Sequence, residues 1–113
     1  VALSTDTSIL TAAGNDFGFE RIFARQVEAL GRRGDLLVAI STSGRSPNVL
    51  KAAGAAQKGG LRVLALTGRA PNALARRANL ALTVPSRDTQ RIQEAHITLL
   101  HILVGQTERL LLR

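Results

Sequence analysis

Three short apolar runs, at residues 36–40, 61–66 and 80–84, constrain this chain more than any other feature. Each is too short for a helix, each ends in a polar turn, and each turn leads into a segment with helical periodicity. Leu36 to Ile40 is continuous, bounded by Asp35 and Ser41, and is expected to be a central parallel strand covered on both faces. Leu61 to Leu66 is the next strand, closed by Thr67-Gly68, and Leu80 to Val84 the last, closed by Pro85. Strands that alternate with helices make a parallel sheet, so the expected fold class is α/β, a three-layer α/β/α sandwich of flavodoxin-like type.

The helices between these runs are marked by their caps. Asp6 is placed to cap a short helix over Ser8 to Ala13, ended by Gly14. A longer helix is expected from about Phe17 to Leu30, with Asp16 as its cap and Phe19, Ile22, Phe23, Gln26, Val27 and Leu30 as its inward stripe. Pro47 falls at a first helical position with Ser46 as cap, and that helix stops at Gly59-Gly60. A short helix spans about Asn72 to Arg77. The last, about Thr89 to Leu112, carries an inward stripe of Ile92, His96, Leu99, Leu103, Gln106 and Leu110. Val1 to Ser4 reads as the end of a strand. The chain has no methionine and opens within an apolar stretch, so a preceding first strand with N-terminal helices is expected to be missing from these residues.

Composition narrows the function classes. With 113 residues and 45% apolar content, one domain, residues 1–113, with a real core is expected. There is no cysteine, hence no disulfide and no thiolate metal site. No run has the length of a membrane span and the start lacks the order of a signal peptide, which together favour a cytoplasmic protein. The net charge of +7 suits nucleic acid, an anionic surface or a small phosphorylated ligand. Only Phe17, Phe19 and Phe23 are aromatic, spaced for one helix face rather than a row of base-stacking platforms, and the basic residues are scattered. A nucleic-acid or membrane partner is therefore not expected.

In an open parallel sheet, ligands bind beyond the carboxyl ends of the strands. Residues 4–7, 41–46, 67–69 and 86–88 are the places to look. Ser41-Thr42-Ser43-Gly44-Arg45-Ser46-Pro47-Asn48 stands out. Its hydroxyls are short, rotatable donors, Gly44 lets the backbone turn closely, and the helix start adds N–H groups and a positive dipole end. The same residues would also serve in an ordinary hydroxyl-rich turn, with Ser46 a plain cap.

The run from Leu37 to Asn48 resembles the phosphosugar loop of SIS (sugar isomerase) domains. Four further stretches resemble phosphoheptose isomerases in particular: Ala2 to Asp6, Gly14-Asn15-Asp16, Leu66 to Arg69, and Arg91-Ile92-Gln93-Glu94 followed by His101. The resemblance implies that Ser41, Thr42, Ser43 and Ser46 hold a phosphate and that Asn15 and Asp16 meet sugar hydroxyls. It places Gln93 and His101 in a catalytic and metal site, with Gln93 also touching substrate. It further implies conversion of sedoheptulose 7-phosphate to a manno-heptose 7-phosphate through an enediolate, for heptose and lipopolysaccharide biosynthesis, in a homotetramer. One zinc ion per site is implied, half of its ligands lying before Val1, where the family carries a histidine and a glutamate. After Gly68-Arg69 the family usually continues Asp-Gly-Gly, whereas this chain has Ala70-Pro71-Asn72, which leaves the role of that turn open.

Read without the resemblance, His101 is better explained by a hydrogen bond to a neighbour on a helix flank than by moving a proton near neutral pH. Gln93 lies ~12 Å from it along a helix, with the two directions ~80° apart, so His101 is the better metal ligand of the two. His96 sits on the apolar stripe as a core or interface residue. Glu94 reads as a surface or subunit-interface charge, and Glu20 and Glu28 as helix-face carboxylates paired with arginines. Two other classes share the fold: a non-catalytic binding protein of the DnaA initiator-associating type, and a regulatory domain that senses a phosphosugar.

Overall fold

A computed structural model describes residues 1–112. Three parallel strands, β1 (Leu36–Ser41), β2 (Arg62–Thr67) and β3 (Leu80–Thr83), lie in the order β1-β2-β3 and are flanked by helices as an α/β sandwich. The helices are α1 (Thr7–Phe17), α2 (Ile22–Leu30), α3 (Pro47–Lys58), α4 (Ala73–Arg77) and α5 (Thr89–Leu111), with a single 3-10 turn at Phe19–Arg21. The register sets Ser41 opposite Thr67 and Thr67 opposite Thr83. One row of hydroxyl residues therefore closes the carboxyl edge of the sheet, and the turns that follow all leave from that edge.

The core lies between the sheet and α2, α3 and α4. Val27, Ala39, Ala52, Ala53, Ala56, Val63, Ala65 and Leu74 form it. The three alanines on α3 present almost no side chain, so the helix backbone approaches β1 and β2 closely and dispersion contacts are dense. Along β2, residues 63 and 65 join this core, while Leu64 and Leu66 are buried on the opposite face.

Among the described residues, β2 is the strand buried on both faces, whereas β1, which the apolar run suggested is covered on both, is open on one. In β1 only alternate residues point into the core; Leu36, Val38 and Ile40 are 58%, 39% and 44% exposed. A continuous apolar run gives the strand but not its place in the sheet, and among the described residues β1 is an edge. Val1 to Ser4 form no strand either, because no described strand lies beside them to complete a ladder. They are held instead by a side chain: Gln26 Nε2 donates to the Leu3 carbonyl at 2.9 Å.

Two helix boundaries differ from expectation. Asp6 does cap α1, accepting from the Ile9 amide at 3.0 Å. But α1 runs through Gly14 and stops at Gly18, which takes φ 86° and returns its N–H to the Gly14 carbonyl. A glycine inside a helix weakens it by only about 1 kcal/mol, whereas a positive φ ends it. Asp16 therefore sits in the last turn of α1 and caps nothing. The expected long helix is divided, and its three phenylalanines belong to three elements: Phe17 to α1, Phe19 to the 3-10 turn and Phe23 to α2. Phe17 is half exposed and lies under the Arg25 guanidinium, 4.7 Å from ring centre to Cζ. Phe19 and Leu30, assigned to the inward stripe, are exposed.

Helix α5 is held at its start. Asp88 accepts from the Gln90 amide at 3.0 Å and more loosely from Arg91. Ile92 and His96 are buried against the end of β2, and Leu99 and Leu103 partly so. Gln106 and Leu110 are exposed, so the inward stripe ends about halfway along the helix.

Candidate anion-binding site

The turn after β1 is built around Ser41, the last residue of the strand and buried. Its Oγ lies 2.9 Å from Ser46 Oγ and 3.4 Å from Ser43 Oγ, and accepts from the Gly44 amide at 3.1 Å. The Ser41 carbonyl accepts from the same amide, and Ser43 Oγ accepts from the Arg45 amide at 3.2 Å. Three serine hydroxyls thus converge at the start of α3. Ser46 stands at the N-cap position, yet its hydroxyl makes no capping bond; it turns back to Ser41 instead. The plain-cap reading of Ser46 is corrected by this geometry. Among the described residues the Ser43 and Ser46 amides donate to no protein acceptor. Unengaged N–H groups, hydroxyls and a helix dipole end form a ready seat for an anion.

Beside this turn lies a cavity of about 620 Å³ lined by Thr42, Ser43, Arg45, Arg69, Ala70, Pro71, Ser86, Arg87, Thr89 and Ile92. Three arginines line it, and no carboxylate does. Although basic residues are scattered in the sequence, the sheet edge gathers Arg45, Arg69 and Arg87 from three different turns. Each lies in one of the turns expected at the carboxyl edge, residues 41–46, 67–69 and 86–88, but that the three share one cavity is set by the order of the strands. A larger groove, about 710 Å³, runs along the open edge of β1 beside Val1 to Ser4. Its walls are mostly apolar, and it offers a phosphate none of the arginines and loop hydroxyls of the smaller cavity.

The other sequence candidates lie elsewhere. Asn15 and Asp16 are exposed on α1, Asn15 Nδ2 donating to Asp16 Oδ1 at 3.0 Å, and neither lines the cavity. Gln93 and His101 are exposed on α5 and do not line it either, although Ile92 next to Gln93 does. His96 is the buried histidine, 3% exposed, with Nε2 3.1 Å from the Thr67 carbonyl. A carbonyl only accepts, so Nε2 carries the hydrogen. Glu94 pairs with Arg91 at 2.9 Å on the surface, and Glu28 with Arg21 at 3.0 Å, while Glu20 pairs with Lys51 rather than an arginine.

Zinc needs four donors in a closed site and three protein ligands in a catalytic one. Among the described residues no three His, Asp or Glu side chains converge on one point. Gln93 and His101 do not by themselves fit a zinc ion.

The class these features define is an α/β domain with a hydroxyl-rich loop, a candidate anion seat, at a strand-to-helix turn. The model of the SIS domain family matches residues 1–68, more than half the chain, and the chain belongs to that family. Curated relatives agree. A phosphoheptose isomerase of Roseiflexus sp. (strain RS-1) is 53% identical over 111 residues, covering 98% of this chain and 56% of the relative. A phosphoheptose isomerase of Helicobacter pylori (strain P12) is 54% identical over 109 residues, 96% of this chain and 57% of its own length. Among solved structures, a phosphoheptose isomerase from Neisseria gonorrhoeae superposes with a TM-score of 0.93 at 50% identity, covering 96% of this chain and 61% of that one. One from Francisella tularensis gives 0.88 at 43% identity, covering 91% and 56%. The chain therefore spans a little over half the length of the relatives it matches.

Proposed function

We propose that this chain is the phosphosugar-binding portion of an isomerase that converts sedoheptulose 7-phosphate to D-glycero-D-manno-heptose 7-phosphate. The convergence of the Ser41, Ser43 and Ser46 hydroxyls at the start of α3, beside a cavity lined by three arginines, carries the reading. The phosphoheptose isomerase relatives give the sugar. Phosphate binding is assigned to Ser41, Thr42, Ser43 and Ser46, and sugar contact to Asn15, Asp16 and Gln93.

Aldose–ketose isomerisation moves a proton between adjacent carbons, so it needs a base, an acid for the oxygen and stabilisation of the enediolate. His101 and Gln93 are the residues of this chain proposed for that work, His101 moving a proton. No carboxylate lines the cavity among the described residues, so the base for the carbon-bound proton is assigned to the full-length protein rather than to residues 1–113 alone. A zinc ion is proposed on the same footing, with His101 the better donor and the remaining ligands from outside these residues. The protein is proposed to act in the cytoplasm as a homotetramer. Among the described residues no helix is long and apolar enough to cross a membrane.

The test is proton exchange at C1 and C2 of sedoheptulose 7-phosphate in heavy water, run on the full-length protein. Exchange that is lost in His101→Ala supports the isomerase. Tight binding without exchange favours the non-catalytic binding protein.

A further inference from the structure

The turn from Gly68 to Asn72, where this chain has Ala70-Pro71-Asn72, is built into the anion loop by one buried side chain. Asn72 is 3% exposed. Its Oδ1 accepts from the Ala75 amide at 2.8 Å and so caps α4. Its Nδ2 donates to Thr67 Oγ1 at 3.0 Å and, more loosely, to the Arg69 carbonyl. The same carboxamide lies flat against Gly44, the turning point of the anion loop. A Cβ on Gly44 would overlap the Asn72 carboxamide and stand 2.8 Å from Asn72 Cβ. Two main-chain bonds join the same pieces: Leu74 N–H donates to the Gly44 carbonyl at 2.9 Å, and Gly68 N–H to the Thr42 carbonyl at 3.0 Å. From the other side His96 on α5 holds the Thr67 carbonyl.

We propose that Asn72 is a positioning residue for the anion loop: through Thr67 Oγ1 and its packing on Gly44, it fixes the backbone that aims Ser43 and the loop amides at the phosphate. Asn72 touches no ligand in this scheme. A cap alone would need only the oxygen. The nitrogen, the burial and the fit to Gly44 are surplus to capping: the nitrogen ties the turn to Thr67 at the end of β2, while the oxygen side of the carboxamide packs on Gly44 of the loop. The inference rests on the phosphate reading of Ser41 to Ser46 and adds to it the residue that keeps the loop in register. It also gives a role to the Ala70-Pro71-Asn72 turn, which the sequence reading left open.

The experiment uses the full-length protein, with calorimetric titration of sedoheptulose 7-phosphate and amide NMR of Ser43, Gly44 and Arg45. Asn72→Ser keeps a capping oxygen but is too short to reach Thr67. Thr67→Val removes the partner hydroxyl, and Thr67→Ser keeps it. We expect Asn72→Ser and Thr67→Val each to weaken binding about tenfold, the scale of one hydrogen bond, and to broaden the loop amides. Thr67→Ser should bind like the parent, and the Asn72→Ser/Thr67→Val double variant no more weakly than Asn72→Ser alone. If Asn72→Ser does not fold, the Thr67 pair decides. A parent that binds while Asn72→Ser and Thr67→Val match its affinity and loop spectra overturns the role of Asn72, leaving the anion site standing. A parent that fails to bind overturns the anion site, and this inference with it.

Discussion

Single side chains and single glycines control the anion loop. Gly44 takes φ 62°, a region that side chains other than glycine rarely adopt, and has no room for a Cβ. Gly44→Ala should therefore destabilise the fold by roughly 2 kcal/mol or more, combining backbone strain with overlap against Asn72. Chemical denaturation, compared with Gly34→Ala as a positive-φ site in open space, separates the two terms. The serines are predicted to behave oppositely, with modest effects on stability and large ones on binding. Each hydrogen bond to a charged oxygen contributes about 1.5–3 kcal/mol, so Ser43→Ala/Ser46→Ala should weaken phosphosugar binding by at least ~100-fold in calorimetry. Unchanged affinity in that double variant would remove the loop as the phosphate site. Such serines are legible in sequence because three hydroxyl residues before a glycine, between strand and helix, are rare as mere spacing. The turning of Ser46 away from its capping position is not legible, since it depends on where Ser41 Oγ lies.

At the level of elements, caps and boundaries decide how the site is mounted. Asp88 carries both side-chain bonds at the start of α5, the turn next to Arg87 and Thr89 in the cavity wall. Asp88→Ala should lower stability by about 1 kcal/mol, read from the denaturation midpoint at constant slope. A variant with an unchanged midpoint would show that packing of Ile92 and His96 alone anchors the helix. The helix starts at Asp6 and Pro47 were readable because a side-chain cap and a proline at the first helical position are both local chemistry. The end of α1 was not, because Gly14 and Gly18 are both plausible stops and only the observed φ separates them. The place of β1 in the sheet was likewise hidden: its apolar run is the same whether neighbours lie on one side or both.

For the whole molecule, the exposed apolar residues point outward in two places. Ile97, Ile102 and Val104 on α5 are each more than half exposed, and Leu110 and Leu111 more so. Solvent-facing apolar side chains on this scale mark contact surfaces. The full-length protein is expected to run as a tetramer in light scattering, and Ile97→Glu/Ile102→Glu to shift it to smaller species. A parent protein that is monomeric at micromolar concentration would contradict the assembly.

By itself, the sequence determined the alternation of strand and helix, because this follows from periodicity and caps along a short stretch of chain, and residue chemistry pointed to the hydroxyl loop at the carboxyl edge as the candidate ligand site. Only the tertiary structure decided that β2 and not β1 is buried on both faces, that Arg45, Arg69 and Arg87 share one cavity, and that Asn72 packs on Gly44. Each of these joins residues from different turns, and their meeting is fixed by the order and register of the strands. The hydrophobic pattern of a strand constrains which face is buried, but no single stretch shows which distant segment it pairs with, since that arises from packing between segments far apart in the chain.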